Sequence, residues 1–320
     1  MLKPQRLKKR STSGGFCLFA VSFLLLLVLN FASTPKSEAS SGSKYQENPL
    51  KQLDVFVLGD SQILFNGGEA YLNFFLELNT LCAPSDRKVF QATANLERLT
   101  SANVGVLGVR GAGINSWVSQ EGPEKDKICI PQKTWPVNAR GFGRLRTEKK
   151  KFLQIGKHVH YPLCEAGQSP LEALFKTVEI KPKLFVIAMT GKRARFWSKK
   201  PELADSDARR LAAQIPVDVP CIYMTTAPTY RKRENDWRTH GQNHFFNALK
   251  KHGTTCGLVS GYQPKTIAAF QGNKTYFKTG EDGKVEDAFH SNPTGQEAFL
   301  GLVAEDVCGV IGGIYGVGVN

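Results

Sequence analysis

The sequence contains no Cys-x-x-Cys pair and no cysteine–histidine spacing of the kind that holds zinc, which argues against a zinc-ribbon or zinc-finger protein. It has no internal repeat, so solenoids and propellers are excluded. Nothing in its middle reads as a linker, and the 320 residues are expected to form one large domain behind an N-terminal segment. The first ten residues hold no acid but do hold Lys3, Arg6, Lys8, Lys9 and Arg10. Behind them, Phe16 to Ala32 is apolar except for Ser22 and Asn30. As a helix that run would rise roughly 26 Å, short for a membrane span but longer than the apolar core of a signal peptide. Its exit, Asn30-Phe31-Ala32-Ser33, lacks the small-x-small pair that signal peptidase reads.

These features predict a basic cytoplasmic segment over 1–15, an uncleaved transmembrane anchor over 16–33 and a flexible tether over 34–50. A domain over 51–320 would then lie on the periplasmic side of an inner membrane, because basic flanks stay in the cytoplasm. The cysteines agree with export: apart from Cys17 in the anchor they number an even six, able to close into disulfides in an oxidising compartment. The net charge is +14, and removing the five cations of the first ten residues still leaves +9. That surplus favours anionic partners, among which nucleic acid fits an exported domain least.

From Leu53 onward short apolar runs alternate with amphipathic stretches. LDVFVLG, VGVLGV, LFVIAMT, CIYMTTAP and CGLVSG are the apolar runs. Strands that are apolar throughout and separated by helices predict a parallel sheet covered on both faces, a five-stranded α/β/α domain. The stretch from about 120 to 168 breaks the rhythm and reads as an insertion, stapled by Cys129 and Cys164. Cys221 and Cys256 each open a strand, the fourth and fifth, so neighbouring strands starting in step would bring them within bridging distance. TYFKTGEDGKVED predicts a hairpin turning at Glu281-Asp282-Gly283, and Asn292-Pro293 predicts the start of a last helix running to about Val307.

Two segments carry the chemistry. Gly59-Asp60-Ser61 follows the first strand, and in parallel sheets ligands bind beyond the strands' carboxyl ends. Asp287-Ala288-Phe289-His290 precedes the last helix and can supply a base together with the acid that orients it. His158 with His160, and His240 with His244, lack acidic or cysteine partners that would complete a metal site, so no metal is expected.

VFVLGDSQI and DAFHSN resemble the first and last sequence blocks of the SGNH/GDSL hydrolases, and the resemblance spans Leu53 to about Val307. It implies a flavodoxin-like α/β/α fold that cleaves or transfers acyl esters, with Ser61 as nucleophile, His290 as base and Asp287 as its orienting acid. It also implies an oxyanion hole built from the amides of Ser61 and of a glycine after the second strand, Gly108 or alternatively Gly111. The chain departs from the family in its third block, where Gly191-Lys192-Arg193-Ala194 stands for Gly-x-Asn-Asp. Arg193 occupies the asparagine position and is expected to serve the oxyanion in its place or to bind an acidic substrate.

Arg110, Arg193, Arg195 and Arg231 to Arg233 follow three different strands, predicting a basic mouth for which Arg110 and Arg231 would bind substrate. The expectation is a serine esterase acting without cofactor on acyl, chiefly O-acetyl, esters of an anionic cell-envelope glycan. An O-acyltransferase shares the first half of that reaction. The missing asparagine leaves a non-catalytic polysaccharide-binding protein as the rival from another class.

Overall fold

A run that is apolar at every position has only one stable home in an α/β protein, the middle of a sheet with helices on both sides. The computed structural model describes residues 53–82, 103–121, 128–129, 143–146, 152–156 and 164–315. The expected cytoplasmic segment, anchor and tether (1–15, 16–33 and 34–50) lie outside these residues, as does most of the insertion. Among the described residues no helix is long and apolar enough to cross a membrane.

The central strands are β1 (Val55–Gly59), β2 (Val104–Val109), β5 (Leu184–Ala188), β6 (Cys221–Met224) and β7 (Cys256–Val259). All five run parallel, in the order β2-β1-β5-β6-β7. Two further strands, β3 (Gly143–Arg146) and β4 (Phe152–Gly156), extend the sheet beyond β2 as an antiparallel hairpin. The five parallel strands are those expected, and among the described residues the insertion adds an antiparallel pair to them. A hairpin in that place pairs the backbone of β2, which would otherwise be an open edge.

Side chains alternate across the sheet, as strand geometry requires. Phe56, Leu58, Leu107 and Phe185 enter one apolar cluster with Trp117, Trp197, Leu211 and Phe245. These come from α2 (Ile114–Val118), α3 (Arg193–Lys199), α4 (Pro201–Gln214) and α5 (Lys232–Lys251). Val55, Val57, Val106 and Val186 enter the other cluster with Tyr71, Phe75, Phe270, Phe299 and Val303. Those belong to α1 (Gly68–Leu76), α6 (Pro264–Phe270) and α7 (Pro293–Ile314). The result is a parallel sheet flanked by helices on both faces. At Gly241 a Cβ would lie 2.2 Å from the Ala194 carbonyl oxygen, so α5 and α3 cross with their backbones in contact.

Three disulfides close. Cys221 and Cys256 are register partners at the starts of β6 and β7, with Cα atoms 4.3 Å apart, and Cys129 joins Cys164, as the sequence predicts for both pairs. The third, Cys82–Cys308, ties the segment after α1 to α7 across 226 residues. Three bridges are the mark of a chain that folds in an oxidising, extracytoplasmic compartment. Replacing Cys82 and Cys308 together with alanine is expected to lower unfolding stability by about 2–5 kcal/mol, measured by denaturant titration with the far-ultraviolet circular dichroism unchanged.

Candidate active site

The order of the parallel strands reverses at β1, which lies between β2 and β5, and a crevice opens beyond the carboxyl ends of strands at such a switch point. The turn that leaves β1 begins there with Asp60, Ser61 and Gln62, then widens into a π-helical turn over Ile63–Gly67. It folds back closely over the end of the sheet. A Cβ on Gly59 would lie 2.1 Å from Ile63 Cδ1, and one on Gly108 would lie 2.6 Å from the Leu64 nitrogen. Glycine at this cross-strand pair, Gly59 opposite Gly108, lets the turn sit where it does.

Asp60 is buried and its carboxylate is fully occupied by backbone. Oδ1 accepts from the Gln62 amide at 2.8 Å, and Oδ2 accepts from the amides of Thr190 at 3.0 Å and Gly191 at 2.8 Å. The turn after β1 is thereby joined to the turn after β5. Gln62, also buried, reaches the other way: its Nε2 donates to the Phe289 carbonyl oxygen. Its Oε1 accepts from Gln296 Nε2 at 2.9 Å, and the same nitrogen of Gln296 donates to Ser291 Oγ at 2.7 Å. Asn66 Nδ2 adds a bond to the Ser291 carbonyl oxygen at 2.9 Å. The neighbours of Ser61 therefore hold the segment that carries His290.

That segment is a strand. The predicted hairpin forms as β8 (Phe277–Thr279) against β9 (Val285–Ser291). Its register jumps: Phe277 faces Ser291, and the next residue, Lys278, faces Asp287. Ala288, Phe289 and His290 are thus left outside the ladder, and a bulge of this kind re-aims side chains. The Ala288 carbonyl is caught by the Tyr230 amide at 3.0 Å.

The bulge directs His290 at Ser61. Asp287 Oδ1 accepts from the amides of Phe289 at 2.9 Å and His290 at 3.0 Å, and Oδ2 lies 2.8 Å from His290 Nδ1. His290 Nε2 lies 2.9 Å from Ser61 Oγ. A carboxylate only accepts, so Nδ1 carries the proton, and Nε2 is left to accept from the serine hydroxyl. Burial by itself would raise the Asp287 carboxyl. The hydrogen bonds from the His290 ring and from the two amides, with the electrostatic attraction of that ring, outweigh it and hold the carboxyl down at about 2.

Arg110 and Arg231 each lie against an aromatic ring of this region. Phe65 packs on the His290 ring at 4.8 Å between centroids, and the Arg110 guanidinium lies 5.8 Å from the centre of Phe65. The Arg231 guanidinium lies 5.6 Å from the centre of Phe289, the residue before His290.

Two sequence expectations need correction. Gly108 is buried inside β2, between Gly59 of β1 and Leu153 of β4, and its role is to admit the Ile63–Leu64 turn. The glycine that stands free after β2 is Gly111, at φ +76 with nothing within 4 Å of where a Cβ would point. Arg193 is committed elsewhere: Nε and Nη2 grip Asp207 at 2.6 and 3.0 Å, and Trp197 Nε1 adds a third bond to that buried carboxylate at 2.8 Å. A buried carboxylate left unpaired is expensive, so this arginine fastens α3 to α4 instead of offering its fork to an oxyanion. His158 and His160 lie outside the described residues, and His240 and His244 are exposed on α5. Among the described residues no group of three histidines, cysteines or carboxylates could hold a metal ion.

No family model and no curated protein matches the chain. A crystal structure of a DUF4886 family protein from Bacteroides uniformis ATCC 8492 is similar at 11% identity over 84% of this chain and 97% of that one, with a TM-score of 0.37. A likeness of that size carries no functional argument.

The pH dependence of stability follows from Asp287. Because its folded pKa is depressed, its contribution is complete above the ordinary aspartate value of about 4 and is lost as pH falls through about 2. The stability difference between the parent chain and Asp287→Asn should therefore be constant at neutral pH and shrink between about pH 4 and pH 2. Denaturant titrations across that range check it, and a difference that persists at pH 2 would contradict the assignment.

Proposed function

We propose that the chain is a serine ester hydrolase of the SGNH/GDSL type, acting on O-acyl groups of an anionic glycan outside the cytoplasm. The observation that carries this reading is the unbroken line Ser61 Oγ, His290 Nε2, His290 Nδ1, Asp287 Oδ2, with both contacts under 3 Å. The parallel strands, counted among themselves, follow the order 2-1-3-4-5 of flavodoxin-like folds, with Ser61 at the switch point where such folds bind ligands.

In this reading Ser61 Oγ attacks the ester carbonyl carbon while its proton passes to His290 Nε2. Asp287 keeps the imidazole in the required tautomer and stabilises the imidazolium that forms. The imidazolium then protonates the departing alkoxide, leaving an acyl group on Ser61, and water activated by the same nitrogen releases it. The amides of Ser61 and Gly111 would stabilise the tetrahedral oxyanion. With Arg193 paired to Asp207, that arginine does not replace the family's asparagine, and losing one oxyanion donor costs about 10²–10³ in turnover where nothing compensates. A glycan hydroxyl in place of water would make the same site an O-acyltransferase. The apolar run at 16–33 would tether the domain to the outer face of the inner membrane.

Hydrolysis of p-nitrophenyl acetate tests the proposal. Ser61→Ala and His290→Ala should each lose about 10⁶ in kcat, and Asp287→Asn about 10⁴, with KM little changed. Equal rates in Ser61→Ala and the parent chain would refute it.

A further inference from the structure

Beside the triad lies a cleft of about 1040 Å³ that the ester chemistry does not use. Its walls are α3 and the first turns of α5, and it reaches Phe289, the residue before His290. Ser61 and His290 do not line it. The volume is at the upper end for a small-molecule site, far more than one acyl group needs.

The wall residues follow helical spacing. Lys192, Arg195, Phe196 and Lys199 form one stripe, and Arg233, Trp237 and His240 form the facing one. Such stripes normally carry apolar residues toward a partner helix. Here they carry cations and rings, and because α3 and α5 already touch at Ala194 and Gly241, no further helix separates them.

The carboxylates at the cleft are neutralised locally. Glu234 pairs with Arg231 at 3.3 Å and Asp236 with Lys232 at 2.8 Å. Lys192, Arg195, Lys199 and Arg233 are left without an ion pair among the described residues. Phe196 is 52% exposed on the wall of the cleft.

We propose that this cleft is a subsite for several consecutive residues of an anionic polysaccharide, and that it presents the ester of one of them to Ser61. The proposal rests on the esterase reading and adds to it a binding site of its own. Unpaired cations meet carboxylates spaced along a sugar chain, and aromatic rings pack against the apolar C–H faces of pyranoses. The site is concave, which a flat bilayer cannot enter, and the three disulfides belong to a compartment where nucleic acid is not the expected polyanion. Phe289 links the two sites, since it lines the cleft and its carbonyl is held by Gln62 beside the nucleophile.

Isothermal titration of the full chain with hexagalacturonate, and with maltohexaose as the neutral control, tests this. The acidic hexamer should bind and the neutral one should not, with affinity falling as salt is raised. Arg195→Glu with Arg233→Glu, and separately Phe196→Ala, should each weaken binding by about tenfold or more, while thermal unfolding stays that of the parent chain. All three positions are exposed, so folding is not at stake. Equal binding of maltohexaose, or acidic-hexamer binding that survives both variants, would overturn the proposal. So would a chain that does not bind the acidic hexamer at all. Hydrolysis of p-nitrophenyl acetate by the unmodified chain is read in parallel. Its absence would refute the esterase reading alone, and the titration would still decide the subsite.

Discussion

Ser61 stands between two buried polar side chains, and neither can be left without partners. Asp60 and Gln62 are excluded from water, where an unpaired amide or carboxylate costs several kcal/mol, so each must find its bonds inside the protein. Asp60 finds them on the amides after β5, and Gln62 finds one on the carbonyl that precedes His290. The requirement that buried polar groups be satisfied thus holds together three segments remote in the chain. The 2.9 Å approach of Ser61 Oγ to His290 Nε2 depends on that joining.

The second constraint is backbone shape. Glycines 59 and 108 give up side-chain packing so that the turn after β1 can lie on the end of the sheet. The hairpin gives up regular pairing over Ala288 to His290 so that the imidazole can leave the ladder. Both departures from regular structure fall at the candidate site, where local irregularity commonly collects. The electrostatic surroundings have the same focus. Asp287 stays ionised far below neutral pH, and arginines stand over Phe65, which packs on the base, and over Phe289, its neighbour in the chain.

Much of this was legible in the sequence because it depended on local pattern. The five parallel strands announced themselves as runs apolar at every position, and Cys221 with Cys256 followed from two strands beginning in step. What depended on tertiary partners was not legible. The end of β2 decides between Gly108 and Gly111, and the string GVLGVRG offers no mark of where pairing stops. Arg193 looked like a free cation because Asp207 sits on an amphipathic helix among solvent-facing charges, and only the fold reveals it as buried. Cys308 lay beyond the expected end of the last helix, which continues to Ile314, so its pairing with Cys82 had no local signal. Gln62 and Gln296 are unremarkable as letters, and their value lies in facing each other across 234 positions.

The claim on which the account rests is that His290 activates Ser61. Labelling with a fluorophosphonate, followed by peptide mass spectrometry, reads this directly, because the reagent reacts with serines whose hydroxyl is activated by a base. The account predicts one adduct per chain, on Ser61, and its loss in His290→Ala. An unlabelled Ser61, or labelling at the same rate without His290, would contradict it.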